Sequence, residues 1–332
     1  MYAAMNEEQR AIVDAVVAVL ADQCSPAAVR ASWADDAEPA RAELVELGLL
    51  ALAVPEDHGG LGLGLVALAP ALVAAGEAAL PGTLAIDAAV VAPFLARIGH
   101  PDAEAAREGV VRVAVDAGSG LVDGADRASW LLTLADDGVT GGPFGASRVP
   151  TTDGARRLFS IAAGSFRRLG GASDRDDLLA RGALATACEL VGLGRRMIQM
   201  ATEHARVRHQ FGKPIGTFQA VKHQLADAWL GLEMARPLTT RAAWCLDHGY
   251  PNAATYASMA KAAASEAALQ AGRAALQVHG ALGTSEEHDL HLWLKRSWAL
   301  SRAWGDAASH YDAVARALRD DNFSLPRSTP HA

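Results

Sequence analysis

Two stretches of this 332-residue chain combine side chains and backbone in ways that suit an anionic ligand. The first is Arg206-Val207-Arg208-His209-Gln210-Phe211-Gly212-Lys213-Pro214-Ile215-Gly216-Thr217-Phe218-Gln219. Arg208 closes one helical pattern, where a cation complements the negative end of the helix. Gly212 and Gly216 make the turn, and Gln219 opens the next helix, whose first N–H groups are free to meet an anion. An arginine, a helix N-terminus and a glutamine together suit a diphosphate. The same residues also suit an ordinary helix–turn–helix closed by an arginine. The second stretch is Gln277-Val278-His279-Gly280-Ala281-Leu282-Gly283. Its glycines would bring backbone N–H groups close to a ligand, or simply end a helix as a C-cap. No Cys-x-x-Cys or His-Glu-x-x-His occurs, so no zinc site is expected.

Both stretches lie in the part of the chain with the strongest helical periodicity. Long helical patterns are expected at 176–208, 217–248, 252–279 and 287–319, separated by short glycine-bearing turns. Pro237 falls inside the second and should kink it. Four long helices with short loops form an up-down bundle. Upstream, helices are expected at Glu7–Leu20, Pro39–Leu47, Leu65–Ala79 and Ile86–Ile98. A Pro/Gly-dense loop, Val54 to Gly64, interrupts them. Between the helical regions, Val110–Val115, Ser129–Leu134 and Leu158–Ala162 read as short strands of a small β-module. The division expected is a helical domain at 1–105, a reduced β-domain at 106–170, a four-helix bundle at 171–321 and a fraying tail at 322–332. The fold class is mainly α (α+β).

Composition excludes several alternatives. Hydrophobic residues make up 51% and charged residues 20%, too apolar for disorder. The net charge is -8 and no basic run occurs, so no nucleic-acid partner is expected. The three cysteines, Cys24, Cys188 and Cys245, are too few and too scattered for a disulfide framework and fit a reducing, cytoplasmic compartment. The longest uncharged apolar stretch, Leu61 to Gly76, is short for a membrane span and contains Pro70, so no membrane association is expected.

With these residues in view, the chain resembles the acyl-CoA dehydrogenase family. The Arg-x-x-Phe-Gly-x-x-Ile-Gly-x-Phe-Gln run, the Gln-x-His-Gly-x-x-Gly run and Val54-Pro55-Glu56-x-x-Gly59-Gly60-x-Gly62 resemble family signatures, in the family order. The resemblance implies a helical N-terminal domain, a middle β-domain and a C-terminal bundle of acyl-CoA dehydrogenase type, with FAD bound between subunits of a dimer or tetramer. It implies that Arg208, Gln210, Phe211 and Gln219 contact the diphosphate and adenine side of a neighbour's FAD, together with the stretch Gln277 to Ala281, which includes Gly280. It also implies an acyl-CoA substrate, removal of its α-proton by a carboxylate, and hydride delivery to the flavin.

The resemblance breaks down where the carboxylate should be. The two family positions for a catalytic glutamate fall on Trp304, before Gly305 and Asp306, and on Gly182, beside Arg181. Neither can take a proton. Short gaps in the correspondence leave Asp306, Asp176 and Asp177 as candidates. Glu266 is more simply read as a structural ion pair, with Arg273 or with a residue on a neighbouring helix. The loop that lines the flavin ring in the family is absent, and Trp130-Leu131-Leu132 only loosely echoes its tryptophan strand. Arg181 loosely matches the family's CoA-holding arginine. Some actinobacterial members, including those acting on steroid side chains, form two-chain complexes, and this chain resembles the shortened partner. The expectation is therefore a subunit that completes the FAD site of a second acyl-CoA dehydrogenase chain. The alternatives are a self-sufficient homo-oligomer with an atypical base and a structural member that binds no flavin.

Overall fold

The computed structural model describes residues 6–35, 37–162 and 164–319. The tail expected at 322–332, and the last residues of the expected bundle, lie outside the described residues. Helix α1 (Glu7–Gln23) starts at Asn6, whose side chain accepts the Gln9 N–H while the Gln9 side chain accepts the Asn6 N–H. This reciprocal cap satisfies donors that the first turn would leave free. Helix α2 (Pro26–Asp35) was not expected; it opens on a proline, which lacks an N–H and so leaves no orphan donor there. Helix α3 (Arg41–Glu46) is shorter than expected because Ala40 adopts φ 64, outside the helical region. Helix α4 (Gly64–Glu77) is apolar on most sides and mostly buried, as a core helix must be. Then α5 (Leu84–Ile86), a π-helical turn (Asp87–Val91) and α6 (Ala92–Arg97) follow one another, with α7 (Ala103–Arg107) behind them.

The middle module carries more strand than its residue types announce. Three strands are expected and seven are seen among the described residues: β1 (Val113–Asp116), β2 (Leu121–Asp123), β3 (Trp130–Ala135), β4 (Gly138–Gly142), β5 (Gly145–Arg148), β6 (Leu158–Ala162) and β7 (Arg167–Gly170). They form one sheet in the order β1-β3-β4-β7 and a second in the order β2-β6-β5. The unexpected strands are rich in glycine and polar residues, which weakens any local strand signal. Glycine is required in β4: a Cβ on Gly141 would lie 2.8 Å from the Trp130 ring.

The bundle consists of α8 (Ala172–Val207), α9 (Gln219–Asp247), α10 (Ala253–His279) and α11 (Leu290–Arg302). A short hairpin of β8 (His209–Gln210) and β9 (Lys213–Pro214) joins α8 to α9. Helix α9 continues through Pro237. α4 packs on α8 at very close range: a Cβ on Gly76 would lie 2.1 Å from the Glu189 carbonyl, and one on Gly192 2.0 Å from that of Val73. Either glycine replaced by alanine would push the two helices apart.

The expected last helix is in fact two. α11 ends at Arg302 and α12 (Ala307–Arg319) starts after a turn in which Trp304 has φ 56 and Gly305 φ 91. The apolar pattern of the sequence runs through this break, so the cause must be tertiary. Lys261, fully buried on α10, sends its Nζ to Ser301 O at 3.2 Å, Gly305 O at 2.9 Å and Ser265 Oγ at 3.1 Å. Carbonyls that a continuing helix would satisfy are thus met by a side chain.

A buried ion cluster pins the β-module to the bundle. Arg296 of α11 lies 3.4 Å from Asp153, on the loop before β6, and 3.6 Å from Glu189 of α8. Burial pushes the Glu189 carboxyl up to about 7, with Arg296 pulling the other way.

Candidate functional site

The two signature stretches end up at one end of the bundle. α8 and α10 run in the same direction, and their last turns touch through stacked imidazoles: His204 and His279 have ring centroids 4.5 Å apart, and His288 lies 4.6 Å from His279. The β8–β9 hairpin leaves α8 here, and the 3-10 turn Gly280–Thr284 leaves α10. Burial holds His204 and His279 below the ordinary histidine range. His279 Nδ1 lies 2.8 Å from Ala275 O, and its buried Nε2 has no hydrogen-bond partner among the described residues.

Arg208, Gln210, Phe211, Gln219, Gln277 and Gly280 are all solvent-exposed on this chain. Phe211 is 91% exposed and sits at φ 52, with an edge contact to the Phe218 ring. An aromatic side chain exposed to that degree on a strained turn has no folding role that the chain itself satisfies. Arg208 has its backbone fixed, its N–H on His204 O and its carbonyl on the Ile215 N–H, while its side chain makes no ion pair among the described residues. Helix α9 has no side-chain N-cap, so the N–H groups of its first turn are free beside Gln219. A Cβ on Gly280 would meet nothing within 4 Å, which leaves its backbone open to approach. This donor set suits a phosphorylated ligand.

The second locale is a cavity of about 510 Å³ between the β-module, the helical N-terminal region and the end of α11. Trp304 lines it. The Trp304 ring lies flat against α8 at Gly182, where a Cβ would sit 2.2 Å from Cε3. The two residues marked from the sequence as standing in for a base therefore touch each other. An indole resting on a glycine fills the space where a carboxylate from either position would project.

The other candidate bases are engaged elsewhere. Asp306 accepts the Ser309 N–H at 2.9 Å at the start of α12, and this bond holds its carboxyl below the ordinary range. Asp176 pairs with Arg175, and Asp177 with Arg181 at 2.8 Å. That pairing also engages Arg181. Glu266 accepts the Tyr311 hydroxyl of the neighbouring helix α12 at 2.5 Å, a hydrogen bond in place of the ion pair expected with Arg273 or a neighbouring helix.

The sequence reading overlooked two carboxylates that do line the cavity. Asp87, in the π-helical turn, receives Arg41 Nη2 at 2.7 Å and Thr83 Oγ1 at 3.1 Å, yet burial pushes its carboxyl above the ordinary range. Asp123 receives Arg156 Nε at 3.1 Å, and burial pushes it up to about 6. The signal for Asp87 is its isolation in the otherwise apolar run Leu84 to Ala92. Asp123 carries no such signal.

The loop after β1 closes on itself. Asp116 Oδ1 accepts the N–H groups of Gly118, Ser119 and Gly120 at 2.9, 3.0 and 3.0 Å. Donors that would otherwise face the cavity are consumed, so this loop does not fit a flavin ring, whereas the exposed end of the bundle fits a dinucleotide's phosphates. Trp130, the loose echo of a family strand, is also committed elsewhere, with Nε1 on Asp102 at 2.9 Å and its ring against His100.

Family models for the acyl-CoA dehydrogenase N-terminal domain match residues 6–106, and those for the C-terminal domain match 171–319. Among curated relatives, the acyl-CoA dehydrogenase IpdE2 of Mycobacterium tuberculosis is 32% identical over 299 residues, covering 88% of this chain and 91% of that protein. Among solved structures, the ChsE4–ChsE5 complex from Mycobacterium tuberculosis superposes with a TM-score of 0.84 at 23% identity, covering 97% of this chain and 100% of the matched one. PigA, solved with FAD and proline, superposes with a TM-score of 0.84 at 20% identity, covering 96% and 99%. No single helix among the described residues is long and apolar enough to cross a membrane.

Proposed function

The chain belongs to the acyl-CoA dehydrogenase family of oxidoreductases acting on CH–CH bonds, and from that premise we propose that it works as the subunit without a base in a two-chain enzyme. In this reading it completes the FAD site of a partner chain, in a dimer or tetramer. The observation that carries the reading is the Trp304 ring packed on Gly182, with no carboxylate at either position. The likeness in fold to a chain of a two-chain complex supports it.

Each residue then has a stated task. Arg208 gives a charge-assisted hydrogen bond to a phosphate oxygen, and the free N–H groups at the start of α9 add further donors. Gln210, Gln219 and Gln277 offer amides, and Gly280 offers an unobstructed backbone. Phe211 offers an exposed ring face on which a base can stack. FAD, when bound, supplies the hydride acceptor. Proton removal from the acyl-CoA falls to a carboxylate of the partner, because a base must lie within hydrogen-bond reach of the proton it takes.

One observation favours a second reading. Asp123 lines the cavity with a carboxyl pushed up to about 6, in the range useful to a general base. In a self-sufficient enzyme it would take the role, and Asp123→Asn would abolish turnover. In the subunit reading Asp123→Asn leaves the turnover of the two-chain complex within a few-fold of wild type. Steady-state assay of the purified complex with an acyl-CoA and an artificial electron acceptor decides between them.

A further inference from the structure

Three chain segments meet at one point at the exposed end of the bundle, and each brings an imidazole there. His204 lies in the last turn of α8, His279 ends α10, and His288 precedes α11. The His204 and His279 rings are stacked, with centroids 4.5 Å apart at 28°, and His288 lies 4.6 Å from His279. The turn Gly280–Thr284 folds back closely, so that a Cβ on Gly283 would lie 2.9 Å from His279 Cβ. Both halves of the phosphate-fitting end hang on these rings: the Arg208 N–H is bonded to His204 O at 2.9 Å, and Gly280 follows His279 directly.

The hydrogen bonds fix the charge state in which the arrangement closes. His279 is only 6% exposed, and its Nδ1 faces Ala275 O at 2.8 Å, so Nδ1 carries the proton. Nε2 is then a bare lone pair, buried and without a partner among the described residues. A proton placed there would make a charged donor that nothing accepts. His288 Nδ1 accepts the Leu290 N–H at 3.2 Å. No hydrogen bond links the three rings to one another among the described residues, so a proton gained by one is not shared with the next.

The surroundings oppose charge as well. Burial, with His288 and Arg208 adding to it, holds His204 below the ordinary histidine range. Burial also holds His279 below that range against the pull of its bond to Ala275 O, with His204 and His288 adding to the effect. No carboxylate is among the groups acting on these two rings. Of the carboxylates flanking His288 in sequence, Asp289 is held by Arg30 at 2.6 Å and Glu287 is exposed.

We propose that the His204–His279–His288 stack is an acid-sensitive latch, closed while the rings are neutral and opened when protons enter through the half-buried His204 and His288. Stacked neutral rings attract, and two imidazolium rings at this separation repel. Opening frees the last turns of α8 and α10 together, and with them the placement of Arg208 and Gly280. A histidine held low in the fold contributes stability that is present above its unfolded value of about 6.5 and lost as pH falls below it, so opening belongs to that interval. The consequence for a bound dinucleotide rests on the reading of this end as a phosphate clasp; the latch itself does not.

Hydrogen exchange of the full-length chain, followed by mass spectrometry at about pH 7.5 and about pH 5.5 with the intrinsic pH dependence of exchange divided out, tests the latch. Local opening at 200–208 and 276–284 should rise roughly tenfold or more at the lower pH, while the buried middle of α8, 183–194, keeps its protection. His204→Phe keeps a ring in the stack, and His288→Asn keeps an acceptor for the Leu290 N–H; each removes one proton site. Each should retain protection at the higher pH and shrink the acid response, and the double variant should reduce it to about twofold or less. Unchanged protection of the wild-type chain at the lower pH overturns the proposal. So does an undiminished response in the double variant, which assigns the titration to another group, and so does opening spread evenly through 183–194. Loss of protection in both single variants at the higher pH also overturns it, because the rings would then act by packing alone. Each of these outcomes leaves the Arg208 clasp standing, since flavin retention decides that separately.

Discussion

Trp304 and Gly182 can be tested as a pair. Gly182 lies inside α8, where alanine favours the helix by about 1 kcal/mol over glycine. Against that, the new Cβ would sit 2.2 Å from an indole carbon of a ring carried on the left-handed Trp304–Gly305 turn. Overpacking of this kind costs about 1–3 kcal/mol even when partly relieved by movement. With the helix gain subtracted from the steric cost, Gly182→Ala should destabilise the fold by up to about 2 kcal/mol. In a Trp304→Ala background the clash is gone and only the helix preference remains. There the same substitution should stabilise by about 1 kcal/mol. The sign therefore reverses, with a coupling energy equal to the relieved steric cost, about 1–3 kcal/mol, in the range for contacting residues. Urea unfolding followed by circular dichroism at constant slope measures all four proteins. A Gly182→Ala that stabilises the wild-type background, or additive effects, would refute the packing on which the missing base rests.

Lys261→Met removes the donors that meet Ser301 O and Gly305 O and should destabilise by about 2–5 kcal/mol, read as a drop in the urea midpoint. Stability should also depend on Glu189. Its carboxyl titrates at about 7 in the folded chain and lower when unfolded, so the native state binds the extra proton. This contribution is fully present below the unfolded value and is lost as pH rises through about 7. Glu189→Gln should flatten that decline in unfolding curves recorded across the interval, and an unchanged slope contradicts it. Arg208→Ala should weaken FAD retention by the two-chain complex about tenfold or more, measured as flavin lost on dilution; unchanged retention removes Arg208 from the site. Asp306→Ala should lower stability by about 1 kcal/mol through loss of its cap and leave turnover intact, whereas abolished turnover would make it the base.

The helices were legible in the sequence because their signals are local. Gly212, Gly249 to Pro251 and Gly280 mark turns by residue type alone, and the apolar spacing of α8 and α10 reports the face they bury. The features that decide function are not local. The break after Arg302 depends on Lys261, more than 40 residues away in sequence, so a continuous apolar pattern concealed it. β4 and β5 were missed because Gly138, Gly141, Gly142 and Gly145 have poor strand preference, and in β4 only close packing of Gly138, Gly141 and Gly142 against Trp130, Leu169 and neighbouring backbone makes glycine necessary. Trp304 and Gly182 were singled out separately, with nothing in either stretch to say that they touch. The closure of the loop after β1, with three backbone N–H groups on Asp116 Oδ1, is likewise set by the folded backbone and not by any residue type in the sequence.

The flavin content of the chain tests the central claim most directly. Purified alone, it should show little visible flavin absorbance and no acyl-CoA oxidation. Purified together with a longer family chain that keeps the flavin-ring loop and a glutamate base, it should be yellow and active. A chain that purifies alone with stoichiometric flavin and oxidises an acyl-CoA would contradict the account.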